Sequence, residues 1–599
     1  MNALELSAKL NEVRRHLAAS DSAAARAALA KLQKQHADHP AVNQLLCLTA
    51  VMRLEYPQAL YYAQRAAGAD PHSGELLTNL ANCLTYCGKR EEAIAAYRRA
   101  LELTPGLRLA RQGLAQALHE ALRRDEAVAL MRELLAEDPG NRDAARLLAE
   151  WTLEAALQHE AAALLRGAVA RAPDDLKLHT ALCSTLNYAD GVDPREVLAA
   201  HEAFGAAQER AVGAAVPRAA RPRAASEKLV VGILSGDLRL HSCASYLEPL
   251  MEHLDRNEFR LVAYYNEPDE DAVTARFKRL ADLWRPIARL GDDEAAAQIV
   301  GDRVDILLEC HGHTRGQRFG VLQRRPAPLQ GTYLGYPNTT GLRAVDFRIV
   351  DSKTDPAPRA DALAVERLIR LDPSFLCYRP PRESPDVSPL PALSSGAVTF
   401  GSFNATAKLT ERMIRVWTEV VRAVPGSRLL LKHFGMKDPS VRRSLEERFA
   451  RAGMPAGGVE LAPPHEGRAD HLGMYARVDI GLDPFPYHGT TTTCEAFHMG
   501  VPVVSLIGDV HAARVGLSLL DSVGLDHLAV DSEEGYVRAA RSLAEDIPAL
   551  AALRSSLRAR LASSPLCDGK AFAARLGAAF RALHDQRLAD QSARGGSSG

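Results

Sequence analysis

Apolar and small residues return along the first third of the chain with a period of 34 positions. Leu80, Leu114, Leu148 and Leu182 share one phase, and each is followed by a small residue: Ala81, Ala115, Ala149 and Cys183. A second small position runs through Ala25, Ala59, Ala93, Ala127 and Ala161, and Pro71, Pro105, Pro139 and Pro173 close successive periods. Two amphipathic helices fit into one such period. They cross closely only where side chains are small, and proline cannot continue the second helix. After Asp190 the pattern dissolves. Residues 191–211 read as one or two further helices, and Val212 to Ala225 carries Pro, Ala and Arg without an apolar period, which marks a boundary.

From Lys228 the pattern changes to short β-branched runs alternating with helical stretches. Strands are predicted at Leu229–Leu234, Arg260–Tyr265, Val304–Leu308, Leu329–Leu334 and Phe347–Val350. A proline-rich passage over 380–391 follows, and then a second series: Val398–Phe403, Arg428–Lys432, Val459–Leu461, Val478–Leu482, Pro502–Leu506 and His527–Val530. Such alternation predicts parallel sheets covered on both faces. Two of these units on one linker place a cleft at the carboxyl ends of both sheets. The 34-residue period marks tetratricopeptide repeats, which must stack because one helix pair cannot bury its own apolar face. The expected fold is an all-α tetratricopeptide-repeat superhelix followed by two doubly wound, Rossmann-like α/β lobes. In the repeat groove Asn79 and Asn82 are placed to grip a partner's backbone amides. Gln116, Glu150 and Ser184 follow at the phase of Asn82, so there is no asparagine ladder, and the groove as a whole is assigned to partner binding.

Composition narrows the function classes. The 599 residues carry a net charge of −1, which gives no electrostatic footprint for nucleic acid. The nine cysteines are scattered, and Cys83 and Cys87 have no second pair at zinc spacing, so reduced thiols in a cytoplasmic protein are expected. The N-terminus reads as an amphipathic helix with acids among its apolar residues. No run of 18 apolar residues exists to span a membrane.

The stretch Phe485-Pro-Tyr-His-Gly-Thr-Thr-Thr-Thr-Cys-Glu495 carries the most chemistry. Gly489 and the hydroxyl run Thr490, Thr491, Thr492 and Thr493 lie between a predicted strand and a predicted helix over Thr492–Met499. Unpaired amides and the dipole of a helix start attract phosphate there, and Glu495 lies one turn on, within reach of a ribose. Strand Val398–Phe403 runs into Asn404-Ala-Thr-Ala-Lys408, and Lys408 opposite the threonines would complete a diphosphate clamp. In the first lobe, strand ends lead into His241, a candidate base, and into Glu309-Cys-His-Gly-His-Thr314. Glu309 in a closed cleft is the second base candidate. His311 and His313 stand at i, i+2 without a third ligand nearby, and Asp269-Glu-Asp271 precedes a helix where capping is expected, so no metal is expected. Gly335-Tyr-Pro-Asn-Thr-Thr-Gly-Leu342 is a turn that either lines the cleft or serves only as a loop.

Together these segments resemble the protein O-GlcNAc transferases and their SPINDLY branch, over nearly the whole chain. The resemblance is to SPINDLY in Gly335 to Leu342, Thr399-Phe-Gly-Ser-Phe-Asn404, Phe485-Pro-Tyr and Gly489 to Glu495, extended by His511-Ala, Val515-Gly and Ser518-Leu-Leu520. It implies a GT-B transferase. Residues 1–190 would form the superhelix, 191–226 a helical linker, 227–380 and 397–585 the catalytic lobes, 381–396 the interlobe linker and 586–599 a disordered tail. It implies that Lys408, Thr491 and Thr492 hold the nucleotide diphosphate, Glu495 the ribose, His471 the base, and that His241 lies near the sugar and acceptor. Where the GlcNAc transferases have His-Thr-Thr this chain has Thr490-Thr491-Thr492, and their glutamine three residues before the lysine is Ala405 here. Both departures touch the donor pocket. The implied activity is inverting, metal-independent transfer from a nucleotide-sugar to Ser or Thr of proteins held in the repeat groove. GDP-fucose is the preferred donor and UDP-GlcNAc the alternative; no cofactor is implied, and a homodimer is left open. The reading from another class is an inactive repeat scaffold that binds nucleotide.

Overall fold

The computed structural model describes residues 3–19, 21–224, 227–464 and 467–596. The repeats are helix pairs: Pro40–Met52 with Tyr56–Ala69, Gly74–Tyr86 with Arg90–Leu103, Arg108–Glu120 with Arg124–Glu137, and Arg142–Glu154 with Gln158–Arg171. Both small phases of the sequence are fully buried. Ala25, Ala59, Ala93, Ala127 and Ala161 at one phase, and Ala81, Ala115, Ala149 and Cys183 at the other, expose no surface. Each of the four prolines stands two residues beyond the end of a second helix, at Ala69, Leu103, Glu137 or Arg171. An amphipathic helix at Ala3–Ala18 begins the described chain; Met1 and Asn2, the first residues of the helix read at the N-terminus, lie outside the described residues.

The chain divides into two compact units, residues 1–148 with 438–440, and residues 149–437 with 441–599. Compactness therefore splits the chain near residue 148, inside the repeat pattern, rather than at 190 or 226. The reason is packing. Cys183 and Phe204, from helices Leu176–Leu186 and Pro194–Val212, share one core with Val230, Leu234, Val262 and Leu307 of the first sheet. Phe204 lies against His313 and Phe319, with ring centroids 4.5 and 5.1 Å away. Helix Pro194–Val212 approaches the 335–342 turn so closely that a Cβ on Gly205 would sit 2.0 Å from the Gly341 carbonyl oxygen. The last repeat helices are thus part of the core of the first α/β lobe. The boundary read at Val212 to Ala225 is an irregular segment over 213–224, with Ala225 itself outside the described residues.

The second unit holds two all-parallel sheets. The first has strands β1 Leu229–Ser235, β2 Phe259–Tyr265, β3 Leu283–Pro286, β4 Ile306–Glu309, β5 Leu329–Thr332, β6 Phe347–Val350 and β7 Arg367–Arg370, in the order β3-β2-β1-β4-β5-β6-β7. The second has β8 Thr399–Ser402, β9 Arg428–Lys432, β10 Val459–Ala462, β11 Ile480–Leu482, β12 Val503–Leu506 and β13 Ala529–Val530, in the order β10-β9-β8-β11-β12-β13. Strands β3 and β7 were not predicted. Both are edge strands of four residues, Leu-Trp-Arg-Pro and Arg-Leu-Ile-Arg, and an edge needs no continuous apolar run. The expected disordered tail at 586–599 is corrected: helix Gly569–Gly596 continues through 586–596, and residues 597–599 lie outside the described residues. Leu588, Ala589, Gln591 and Ala593 are good helix formers, and Phe572 and Phe580 earlier in the helix anchor it in the core beside Phe259 and Phe347 of the first lobe.

Candidate active site

In each sheet the strand order reverses once, between β1 and β4 and between β8 and β11. Ligands of open parallel sheets bind at such switch points, outside the carboxyl ends of the strands. Glu309 ends β4, and the loops after β1, β8 and β11 carry His241, Lys408 and the Gly489–Thr493 run. The two switch points also meet: the Tyr246 hydroxyl, on the helix Ala244–His253 that follows the β1 loop, lies 3.4 Å from Thr491 Oγ1.

Helix Thr491–His498 starts within the threonine run, one residue earlier than the sequence suggests. Thr490 is its N-cap and makes no side-chain capping bond, so its hydroxyl and the first amides face the cleft end of the helix. Gly489 leaves room for this start. A Cβ there would lie 2.3 Å from Thr492 Oγ1 and 2.9 Å from Asn404 Oδ1. Thr492 donates to Asn404 Oδ1 at 3.0 Å, joining the two loops, and the Gly489 amide donates to Asp483 at 2.7 Å.

Lys408 comes from a short turn, Thr406–Lys408, after β8. Its ammonium donates to the His488 carbonyl at 2.7 Å and stands 4.2 Å over the Tyr487 ring. Half-buried and desolvated, it is pushed down to about 8, with Asp483 pulling the other way. The repeat helices fix this turn. Gln158 Nε2 donates to the carbonyls of Ala407 and Leu409 at 2.8 and 3.1 Å, and Thr406 Oγ1 donates to the Glu154 carbonyl at 2.7 Å. Gln158→Ala is expected to cost about 1–3 kcal/mol of stability through the two carbonyls left unsatisfied. Turnover should fall by about tenfold or more, because the lysine loses its register. Turnover equal to the parent protein's would show that the loop holds itself.

Beside this, at the carboxyl end of β9, Lys432, His471 and Glu495 form a chain. Lys432 donates to His471 Nδ1 at 2.6 Å, so Nε2 carries the proton and donates to Glu495 at 3.0 Å. Burial pushes Lys432 down to about 8, and Glu495 opposes the shift. His471 and Glu495, read separately from the sequence, are one hydrogen-bonded unit. Lys432 was missed because it ends an ordinary apolar strand, Arg-Leu-Leu-Leu-Lys.

In the first lobe the two base candidates separate. Glu309 is fully enclosed. Its oxygens accept the amides of His311 (2.6 Å) and Gly312 (2.8 and 3.0 Å) and the Thr332 hydroxyl (3.1 Å). Burial raises its pKa against the pull of these donors, yet it has no path to a substrate. The expectation that Glu309 acts as a base is corrected: it shapes the 310–314 loop. His241 is exposed, its Nδ1 3.3 Å from Asp237 Oδ2. Partial burial lowers its pKa, with Asp237 opposing. Asp237, buried at the end of β1, is a partner that no motif announced. His313, also buried, donates through Nε2 to the Thr340 carbonyl at 2.8 Å. The 335–342 turn is anchored, with Thr339 Oγ1 and the Thr340 amide both 2.6 Å from Glu366. Asp271 caps helix Ala272–Leu280 through the amides of Val273 and Thr274, both at 2.8 Å.

In the repeat unit, Asn79 is half-buried and Gln116 exposed. The Asn82 carbonyl is already taken by the Tyr97 hydroxyl at 2.5 Å, which leaves only its amide NH2 for a partner.

Two parallel sheets with polar side chains gathered at both switch points define a two-lobed, doubly wound α/β protein. The model of glycosyl transferase family 41 matches residues 212–377 and 390–576, and a tetratricopeptide-repeat model matches 87–151. The chain belongs to glycosyl transferase family 41, in its SPINDLY and O-GlcNAc transferase group. It is 44% identical over 364 residues to a protein of Oryza sativa subsp. japonica named probable UDP-N-acetylglucosamine--peptide N-acetylglucosaminyltransferase SPINDLY, covering 60% of this chain and 39% of that one. It is 27% identical over 356 residues to the Arabidopsis thaliana protein of the same description named SEC, covering 57% and 36%. The chain thus spans about two-fifths of the length of the curated relatives it matches. A solved structure of an O-GlcNAc transferase mutant of Thermobaculum terrenum superposes with a TM-score of 0.79 at 31% identity, covering 86% of this chain and 98% of that one.

Proposed function

We propose that the chain is an inverting protein O-glycosyltransferase that moves a sugar from a nucleotide-sugar to Ser or Thr hydroxyls without a metal ion. The observation that carries this reading is the meeting of Lys408 with the loop that opens helix Thr491–His498 at one switch point, facing an Asp237–His241 pair at the other. The acceptor hydroxyl gives its proton to His241 Nε2, and its oxygen attacks the anomeric carbon from the face opposite the diphosphate. The bond to the diphosphate breaks, and its electron pair leaves with the nucleotide. Lys408, the hydroxyls of Thr490 and Thr491 and the first amides of helix Thr491–His498 meet the developing charge, while Thr492 keeps its bond to Asn404. Glu495, oriented by His471 and Lys432, holds the ribose. The repeat unit delivers acceptor proteins, raising their local concentration at the cleft. Nine free thiols agree with a cytoplasmic site of action. Among the described residues no helix is long and apolar enough to cross a membrane.

GDP-fucose is the preferred donor. Thr490 stands where the GlcNAc transferases carry histidine, and Ala405 where they carry glutamine, so two donor-pocket side chains that accompany UDP-GlcNAc are missing. The names of the curated relatives favour UDP-GlcNAc as the second reading. Incubation with each donor separately, following nucleotide release and the mass gained by acceptor protein, decides between them. GDP release with a deoxyhexose gain is expected. UDP release with an N-acetylhexosamine gain overturns the donor, and nucleotide binding without transfer from either donor reduces the protein to a scaffold.

The two titrating groups predict a bell-shaped pH profile. kcat/KM rises as His241 loses its proton, below its ordinary value of about 6.5, and falls as Lys408 loses its own near pH 8. The Asp237 charge raises the His241 pKa, so Asp237→Asn should move the acid limb to lower pH while reducing the maximum. A limb that moves to higher pH, or stays in place, would assign it to another group.

A further inference from the structure

We propose that Asp237, His241 and Cys243 form a binding site for a zinc-like divalent ion, and that its occupation switches the transferase off. The three side chains come from the loop between β1 and helix Ala244–His253, where the chain leaves the sheet at its switch point. One ligand atom from each, the Asp237 carboxylate oxygen, the His241 ring nitrogen and the Cys243 sulfur, lies within 4.8 Å of the other two. Asp237 Oδ2 and His241 Nδ1 are 3.3 Å apart. Tetrahedral zinc, at about 2.0–2.3 Å from its ligands, needs neighbouring ligand atoms about 3.3–3.8 Å apart. The carboxylate–imidazole edge already has that length, and His241 Nδ1 accepts the Cys243 amide at 3.3 Å, which holds the ring beside the residue that carries the sulfur. The third ligand is the Cys243 thiol, half-buried and in no disulfide; burial and Asp237 keep it protonated in the empty site, and it releases that proton to solvent as the ion binds. Behind the site, His311 Nδ1 stands 3.8 Å from the same Asp237 oxygen, too far for a hydrogen bond, and His311 Nε2 accepts the Gly236 amide at 2.7 Å. Thiolate, imidazole and carboxylate together favour zinc over magnesium or calcium, and three protein ligands leave the fourth position to water.

One other described group of three has comparable spacing, Cys183, His201 and His313, and it is less suited. It is fully buried, and both His201 nitrogens are engaged, Nδ1 with the Val197 carbonyl and Nε2 with the Tyr336 hydroxyl, each at 2.7 Å. Metal there would have to break that network. At the Asp237 site the consequence is chemical: an imidazole coordinated through Nδ1 keeps its proton on Nε2, so it cannot take one from an acceptor hydroxyl. This inhibitory arm rests on the reading of His241 as the base; the binding arm does not.

The test uses the full chain and Co2+ as a spectroscopic substitute for Zn2+. Titration should produce a thiolate-to-cobalt charge-transfer band that saturates at one equivalent and is bleached by Zn2+. Cys243→Ser should abolish the band, while Cys47→Ser and Cys183→Ser keep it. Zn2+ should then inhibit turnover reversibly, with chelator restoring it, and Cys243→Ser, outside the reaction machinery, should need at least about tenfold more metal. No band in the parent protein, or a band that survives Cys243→Ser, overturns the site. A band lost in Cys243→Ser without any inhibition keeps the site and overturns His241 as the base.

Discussion

Lys408→Ala is expected to lower turnover by about 10²–10³-fold while leaving the fold intact, the loss typical of removing one preorganised donor from a developing negative charge. The folded protein holds this ammonium half-buried, over the Tyr487 ring and against a single carbonyl, where desolvation pushes its pKa down to about 8. Among the described residues no carboxylate forms an ion pair with it, so the charge weakens the unliganded fold rather than supporting it. Perturbed cations of this kind mark functional sites, and their removal leaves stability unchanged or raised. The expected signature is therefore divided: turnover collapses, and the unfolding midpoint stays or rises. Lys408→Met keeps the length of the side chain and should behave as the alanine variant does, because charge rather than packing is what the leaving diphosphate needs. A purified variant that turns over at a rate near the parent's would remove the anion clamp from the mechanism.

Asp355→Asn should destabilise the second unit by about 3–5 kcal/mol, the usual cost of removing one partner from a buried charge pair. Asp355, after β6 of the first lobe, meets His511 Nδ1 of the second lobe at 2.5 Å, with both residues buried. Arg348 stands 3.9 Å away, and its Nη2 has no hydrogen-bond partner among the described residues, so asparagine would strand a guanidinium as well as an imidazole. Neighbouring contacts make this the fastening between the lobes: Ser518 to Asp351 at 2.6 Å, Lys353 to Asp521 at 2.8 Å and Arg514 to the Lys353 carbonyl at 2.7 Å. Burial alone would raise the Asp355 pKa, but His511 and Arg348 outweigh it and hold the carboxyl below the usual range. A group depressed in the folded state contributes stability above its unfolded pKa, near 3.9, and loses it as pH falls toward the folded value. The gap between parent and variant, measured by urea unfolding, should thus be constant from pH 7 to about 5 and begin to close below about pH 4. A gap of less than about 1 kcal/mol at pH 7 would show that the pair does not fasten the lobes.

Legibility followed the physics of each element. The buried alanines of the repeat could be read because a fixed helix crossing forces the same small residue at the same phase in every period. Central strands announced themselves by β-branched runs buried on both faces, whereas β3 and β7, at the sheet edge and flanked by charges, did not. The threonine run before Glu495 and the lysine after β8 were legible because a helix start and a strand end are local features. Glu309 misled for the same reason. Its place after a strand is local, but whether a carboxylate faces a substrate or the amides of its own loop depends on how that loop closes.

The amino-acid sequence alone determined the architecture: a helical repeat, two parallel α/β lobes, and candidate groups at strand ends. Tertiary structure decided which of those groups meet. It set the strand orders that place the β1, β4, β8 and β11 loops at two switch points, the Gln158 bonds that hold the Lys408 turn, and the link from Lys432 through His471 to Glu495. Periodicity is a property of one element against solvent, so a single chain records it. Contact between residues from 24 to 251 positions apart depends on how whole layers stack, and no local pattern carries that information.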